Sequence, residues 1–313
     1  MGKMFIVFRS FLLVIFFLGF SQPSFAKKRR ILDLSNKNIS DVSSLEIPKS
    51  TRVVFLDGNQ ISNLEGLNLP SKLKNLILSD NQITSLSSLP LSTSIKDLSL
   101  TGNPLVDISS LENFETLEKL FLRDTLLDSS NFDISKLPPS LKTLSLSINL
   151  FDSLDLSMVL NLDFLRTSPG KVNGVDSLIG ADYSKIKFPE DVETIVVGSV
   201  SLKDDFTGLT LPNELPELKM GFMFMELDEL LTLEFSHNLK LIDLRGNLLS
   251  SLEGIDFPDT LEVLNLNKNE LTSLDDVDIP ASIKVLNLKN NNFSKAEKRK
   301  IKKRFGKKVK IKF

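Results

Sequence analysis

The stretches VVFLDGNQISNL, LKNLILSDNQITSL, IKDLSLTGNPLVDI and LEVLNLNKNELTSL repeat one arrangement of apolar and polar positions. In each unit the fourth and sixth positions are apolar and their neighbours mostly polar, the two-residue period of a strand with one face buried. The fourth position falls on Leu32, Val54, Leu76, Leu98, Leu120, Leu144, Leu165, Ile195, Leu218, Ile242, Leu264 and Leu286, mostly 22 residues apart. One unit cannot bury its leucines alone, so the pattern predicts stacked units, each with a short strand, sharing a continuous core. The ninth position recurs as Asn59, Asn81, Asn103, Asn149, Asn247, Asn269 and Asn291, where the chain turns off the strand. An amide donates and accepts at once, so these side chains are expected to satisfy backbone groups of the turn and not to bind ligands.

A repeat spelled L-x-x-L-x-L-x-x-N-x-L resembles the leucine-rich-repeat family, and the resemblance spans essentially the chain from Lys27 onward. The 22-residue spelling in ISNLEGLNLP and ITSLSSLPLS is similar to bacterial internalins and related secreted proteins. LPPSLKTLSLS and IPASIKVLNLK also resemble secreted repeat ectodomains of eukaryotic microbes, and both origins stay open. The resemblance implies an α/β solenoid: a right-handed curved stack with a parallel sheet on its concave side, of about twelve repeats plus a C-terminal helix-strand cap. It further implies a non-enzymatic recognition module. The first repeat departs from the pattern, with Lys37 at the Asn position and no separate N-terminal cap before RILDL.

The pattern frays over about 162–236. There the ninth position reads Gly170, Val200 and Met223, SPGKVNGVDSLIGADYSKIKFPED adds extra residues, and MGFMFMELDELL is apolar all round. Drift with a repacked core is one reading, and an exposed Met/Phe surface for a partner is the other. Without its asparagines the region is expected to be less stable.

Composition and charge change this picture at the two ends. Residues 1–26 read as a secretory signal, with Lys3 and Arg9 before the apolar SFLLVIFFLGF and small residues Ser24 and Ala26 at the cleavage positions. A retained anchor is the alternative. After cleavage, 36 basic and 40 acidic residues remain, and Lys295–Phe313 holds eleven of the basic ones against a single Glu. There is no cysteine, which removes disulfides, thiolate metal sites and cysteine nucleophiles.

The chemistry for catalysis is sparse. The single histidine, His237 in FSHNLKL, would have to carry any Ser/His/Asp arrangement, and no phosphate loop or metal-ligand spacing accompanies it. Neither a cofactor nor a metal is expected, and nothing points to nucleic acid. N-x-S sequons at Asn38 and Asn292 matter only in a eukaryotic secretory pathway.

The remaining candidate is the sheet face away from the core, reached from the third, fifth and seventh positions. Val53, Phe55, Ile77 and Phe121 place large apolar side chains there, with Arg123 at a seventh position and Arg52, Lys74 and Lys96 in a row at the second. Apolar anchors ringed by cations suit a protein partner met by a monomeric solenoid. An alternative is polyanion binding (a glycan, cell-wall polymer or anionic lipid) through Lys308, Lys310 and Lys312 of the basic end. That end nevertheless reads as a cap, with the S-x-x-E box at Ser294, a helix stop at Gly306, and Ile301 and Phe305 on one helix face. Val309 and Ile311 are expected at the fourth and sixth positions of a final strand whose lysines guard its edge. The organisation expected is thus signal 1–26, solenoid 27–294 and cap 295–313.

Overall fold

The computed structural model describes residues 30–90, 94–147, 151–159, 162–168, 171–172, 175–176, 183–198 and 206–313. The expected signal peptide and Asn149 lie outside them. Among the described residues seventeen strands run in chain order: β1 Ile31–Asp33, β2 Val53–Phe55, β3 Asn75–Ile77, β4 Asp97–Ser99, β5 Lys119–Leu122, β6 Thr143–Ser147, β7 Leu154–Asp155, β8 Phe164–Ser168, β9 Lys171–Val172, β10 Val175–Asp176, β11 Ile186–Lys187, β12 Thr194–Val197, β13 Glu217–Lys219, β14 Leu241–Asp243, β15 Val263–Asn265, β16 Val285–Asn287 and β17 Lys310–Lys312. Thirteen of them form one sheet, ordered β1 to β6, then β8, then β12 to β17. Every pairing in it is parallel, and the register joins fourth position to fourth position, as in Leu76 to Leu98 and Leu98 to Leu120.

The fold is therefore a leucine-rich-repeat solenoid. Burial explains why: every fourth-position residue from Val54 to Leu286 is 0% exposed, and the sixth-position leucines stack beside them. Leu32, at the open N-terminal end, is only partly buried.

The asparagines act as expected, and each serves two turns. Asn103 Nδ2 donates to the carbonyls of Leu78 and Leu100, both at 2.9 Å, while its Oδ1 accepts from Ile83 N at 3.0 Å. Asn59, Asn81, Asn247, Asn269 and Asn291 repeat this geometry. In the fifth unit Thr125 takes the place, and its hydroxyl donates only to Leu122 O at 2.9 Å.

The eighth position is left-handed in turn after turn: Asn36, Gly58, Asp80, Gly102, Asp124, Phe222, Gly246, Lys268 and Asn290 all have φ between 53° and 74°. Glycine, Asn and Asp tolerate this region, which explains the recurring choice. At Gly58, Gly102 and Gly246 there is a second reason. A Cβ on these residues would lie 2.3, 2.4 and 2.4 Å from the side chains of Asn36, Asp80 and Phe222, which lean over them from the preceding turn.

The irregular centre keeps a packed core by other means. Tyr183 and Phe206 are fully buried with ring centroids 5.2 Å apart, and β7 pairs with β11 in a second, outer parallel strand pair. Met220, Met223 and Met225 are at most 2% exposed, whereas Phe222 and Phe224 are 48% and 42% exposed. The methionines thus fill the core, as the reading of drift with a repacked core expects, while the two phenylalanines face solvent. This turn also does not lack asparagine support. Asn247 of the following unit accepts from Met223 N and donates to Met220 O, both at 2.9 Å.

Two α-helices are present among the described residues, α1 Leu227–Leu230 and α2 Lys295–Phe305. Ser294 caps α2 by accepting from Glu297 N at 3.1 Å, and Gly306 ends it at φ 62°, ψ −153°, a conformation reserved for glycine. Ile301 closes the end of the leucine column. The final strand differs in register from the expectation: Leu286 pairs with Ile311 and Asn287 with Lys312, so Ile311 and Phe313 hold the fourth and sixth positions. Val309 lies one pair earlier. Alternation has period two, so a two-residue shift preserves every facing, and Phe313 packs its ring 6.3 Å from Phe293.

Candidate protein-binding face

The open face of the sheet is built by register. Val53 pairs with Asn75 and Phe55 with Ile77, so Phe55 and Ile77 are direct neighbours, and Ser99 separates Ile77 from Phe121. All four apolar candidates and Arg123 are half-buried. Ile31 pairs with Val53 and is 41% exposed, adding an apolar residue that sequence reading passed over because it lies in the atypical first unit.

The second-position cations form the expected row. Lys74 N donates to Arg52 O at 2.7 Å and Lys96 N to Lys74 O at 2.8 Å. Lys96 is ion-paired with Glu118, the next residue in the row, and this bond holds the Glu118 carboxyl below its usual range. The row therefore offers Arg52 and Lys74 with fewer ties than Lys96. Asp97 sits between the two groups, accepting from Asn75 Nδ2 at 2.5 Å, and burial raises its pKa against the pull of Lys119.

Further along, cations on this face meet acids. Lys219 reaches Glu217 at 2.6 Å and Arg245 reaches Asp243 at 3.3 Å. At the C-terminal end much of the basic charge is used within the cap. Lys300 pairs with Asp275, Arg304 donates to the carbonyls of Leu274 and Val277 at 2.6 and 2.9 Å, and Lys298 and Lys302 lie 5.5 and 5.7 Å from the Phe313 ring centroid. Lys308 and Lys310 remain exposed, and Lys310 and Lys312 face the open side of the outermost strand.

A second exposed apolar feature borders the long sheet. The Phe222 ring lies over Gly246, with Arg245 and Lys268 at 5.7 and 5.6 Å from its centroid. Beside it, a groove of about 560 Å³ is lined by Leu227, Leu231 and Leu248 with Glu226, Asp228 and Glu270. His237 is exposed in a turn and contributes its backbone carbonyl to the Thr260 hydroxyl at 2.6 Å. Among the described residues no cluster of three His, Asp or Glu side chains is placed to hold a metal, and no helix is long and apolar enough to cross a membrane.

The fold and this face define a leucine-rich-repeat solenoid. Its shape is similar to an internalin from Listeria monocytogenes, at 19% identity over 91% of this chain and 86% of the other, with a TM-score of 0.44. It is also similar to YopM from Yersinia enterocolitica, at 22% identity over 86% and 62% of the two chains and a TM-score of 0.42. A leucine-rich-repeat protein of Leptospira interrogans is matched at 18% identity over 94% and 100%, with a TM-score of 0.32. No protein-family model and no curated protein matches the chain. Similarity at this level extends to the repeat alone, so function has to be argued from the residues themselves.

Proposed function

We propose that this chain is an exported, non-enzymatic recognition protein that binds another protein through the concave, open face of its sheet, centred on β2 to β5. The observation that carries this reading is the register-aligned apolar strip of Ile31, Val53, Phe55 and Ile77, continued by Phe121, on a rigid sheet edged by Arg52, Lys74 and Arg123. Half-buried aromatic and aliphatic side chains beside arginines desolvate readily and have part of their rotamer freedom already restricted, the properties of binding hot spots. The stack supplies the rigidity, because β2 to β5 are each paired on both sides.

The triple variant Phe55→Ala, Phe121→Ala, Arg123→Ala tests the site. A partner captured by the native protein should bind it at least tenfold more weakly, while the circular dichroism spectrum is retained; capture at native affinity would reject the face. Export rests on the Lys3/Arg9, SFLLVIFFLGF and Ala26 pattern. N-terminal sequencing of the mature protein should begin KKRRI, and a mature chain still starting at Met1 would contradict it.

A second reading, polyanion binding through Lys308, Lys310 and Lys312, draws on the alternation of these lysines at the outermost strand. It is weakened by the number of neighbouring cations already engaged within the cap.

A further inference from the structure

The helix of the cap carries cations that the cap itself does not use. At about 3.6 residues per turn, α2 turns Ile301 to the leucine column, with Glu297 and Phe305 beside it. Four cations stand on its two flanks. Lys300 and Arg304 reach Asp275 and the carbonyls of Leu274 and Val277, and Lys298 and Lys302 lie over the Phe313 ring. Lys295, Arg299 and Lys303 form a third line, opposite Ile301 and away from the core. All three are exposed, and among the described residues none has a side-chain hydrogen bond or ion pair. Lys307, exposed as well, follows them past Gly306. The one acid of this segment, Glu297, lies on the inward half of the helix and accepts from Ser273 Oγ at 3.2 Å.

This line works against the helix that carries it. Lys295 is the first helical residue, at the end where the helix dipole favours acids. Lys295 with Arg299, and Arg299 with Lys303, are like charges four residues apart, which repel along a helix face. Nor does the line guard the open edge of β17, since Lys310 and Lys312 of that strand already do so. Ile301 and Phe305 seal the core, and the flanking cations tie the helix down. The outward line serves neither purpose, and a bound anion would offset both of its costs.

We propose that Lys295, Arg299 and Lys303, continued by Lys307, form a linear binding site for a phosphodiester chain whose phosphates are joined by small polar units. Successive cations lie about 6 Å apart along the helix axis, in single file. Each therefore meets one charge of a polymer that carries one anion per short repeat, through charge-assisted bonds to its phosphate oxygens. A bilayer is taken up by helices that insert apolar side chains, and the only apolar residue beside this line is Ala296. Nucleic-acid strands are held by aromatic rings on which bases stack. The two rings of this cap are already covered, Phe305 by the core and Phe313 by Lys298 and Lys302. The site lies on the helix, apart from the strand lysines of the second reading above, and it does not rest on the concave face being a recognition surface.

The experiment measures binding of the purified protein to synthetic poly(glycerol phosphate) over a series of chloride concentrations. The native protein should bind, with an affinity that falls steeply as salt rises; no binding at low salt would overturn the proposal. The variant Lys295→Gln, Arg299→Gln, Lys303→Gln should lose at least tenfold in affinity, and its slope of log affinity against log salt should be shallower by about 2. It should also melt at the native temperature or above, because the repulsion along the helix is gone. A lower melting temperature would make these cations structural and overturn the site. The variant Lys308→Gln, Lys310→Gln, Lys312→Gln should bind nearly as the native protein does. Equal losses in the two variants would reduce the effect to net charge and overturn the line. A loss in the strand variant alone would overturn it too, leaving the second reading standing. Oligodeoxythymidylate, chondroitin sulfate, and vesicles of phosphatidylcholine with phosphatidylglycerol are compared at matched anion concentration. Tighter binding to any of these than to poly(glycerol phosphate) would overturn the proposal, assigning a nucleic acid, a sulfated glycan or a membrane instead.

Discussion

At the scale of single residues, Asn103 shows how much one side chain carries in a stack of turns. It satisfies two carbonyls and one amide belonging to two different units, at 1% exposure. Removing it strands three buried backbone groups, at about 1–3 kcal/mol for each one left unpaired. Asn103→Ala should therefore cost roughly 3 kcal/mol or more in denaturant unfolding, while Thr125→Ala, which removes one bond, should cost about 1 kcal/mol. Equal losses would contradict the two-turn role. These asparagines were legible in the sequence because their period matches that of the leucines. Arg166 and Ser145 were not, since both sit at ordinary fifth positions, and only the folded chain shows the Ser145 Oγ and the Arg166 Nε buried without a hydrogen-bond partner among the described residues. Phe222 was hidden for a different reason. Its left-handed φ of 63° goes against its side chain, and only the eighth-position column of Gly, Asn and Asp residues makes the exception visible.

At the scale of elements, one local device recurs that period-counting missed. Asp33, Asp41, Asp107, Asp128, Asp133 and Asp155 each accept a bond from the backbone N–H of a Ser two residues on, at 2.8 to 3.1 Å. Bonds from these serines hold five of the carboxyls below their ordinary pKa, Asp155 at about 2 with help from Lys187, and Asp107 is lowered first by the Ser85 hydroxyl and then by Ser109. A carboxyl depressed in the folded chain stabilises it above its unfolded pKa, and that contribution is lost as pH falls through the folded value. Asp97 has the opposite sign, since burial raises it and its protonation relieves a cost. Glu118 and Asp275 are lowered as well, so with eight such carboxyls against one the melting temperature should fall as pH drops from about 4 toward 2. A melting temperature that holds or rises across that window would contradict the assignment. The C-terminal element shows the limit of pattern reading. Helix, cap and strand were all legible from Ser294, Gly306 and the lysine alternation. The register was not, because period two fits Val309 with Ile311 as well as it fits Ile311 with Phe313. Phe293, and the lysines of α2 stacked on Phe313, favour the second fit.

At the scale of the whole molecule, the chain separates its charges and its apolar surface. Most of the excess positive charge is gathered in the last nineteen residues, where it seals the core and protects the edge of β17. The apolar strip lies at the other end of the sheet, on β1 to β5. A solenoid with one long sheet is suited to presenting a long surface, and the proposed recognition role draws on that shape together with the residues it displays. Carbene footprinting of side chains, with and without the partner captured by the native protein, tests this central claim most directly. The account predicts that labelling falls on binding at Ile31, Phe55, Ile77 and Phe121 and is unchanged at Phe222 and Leu231. Protection confined to Lys308, Lys310 and Lys312, or to the groove beside α1, with the strip labelled as in the free protein, would contradict it.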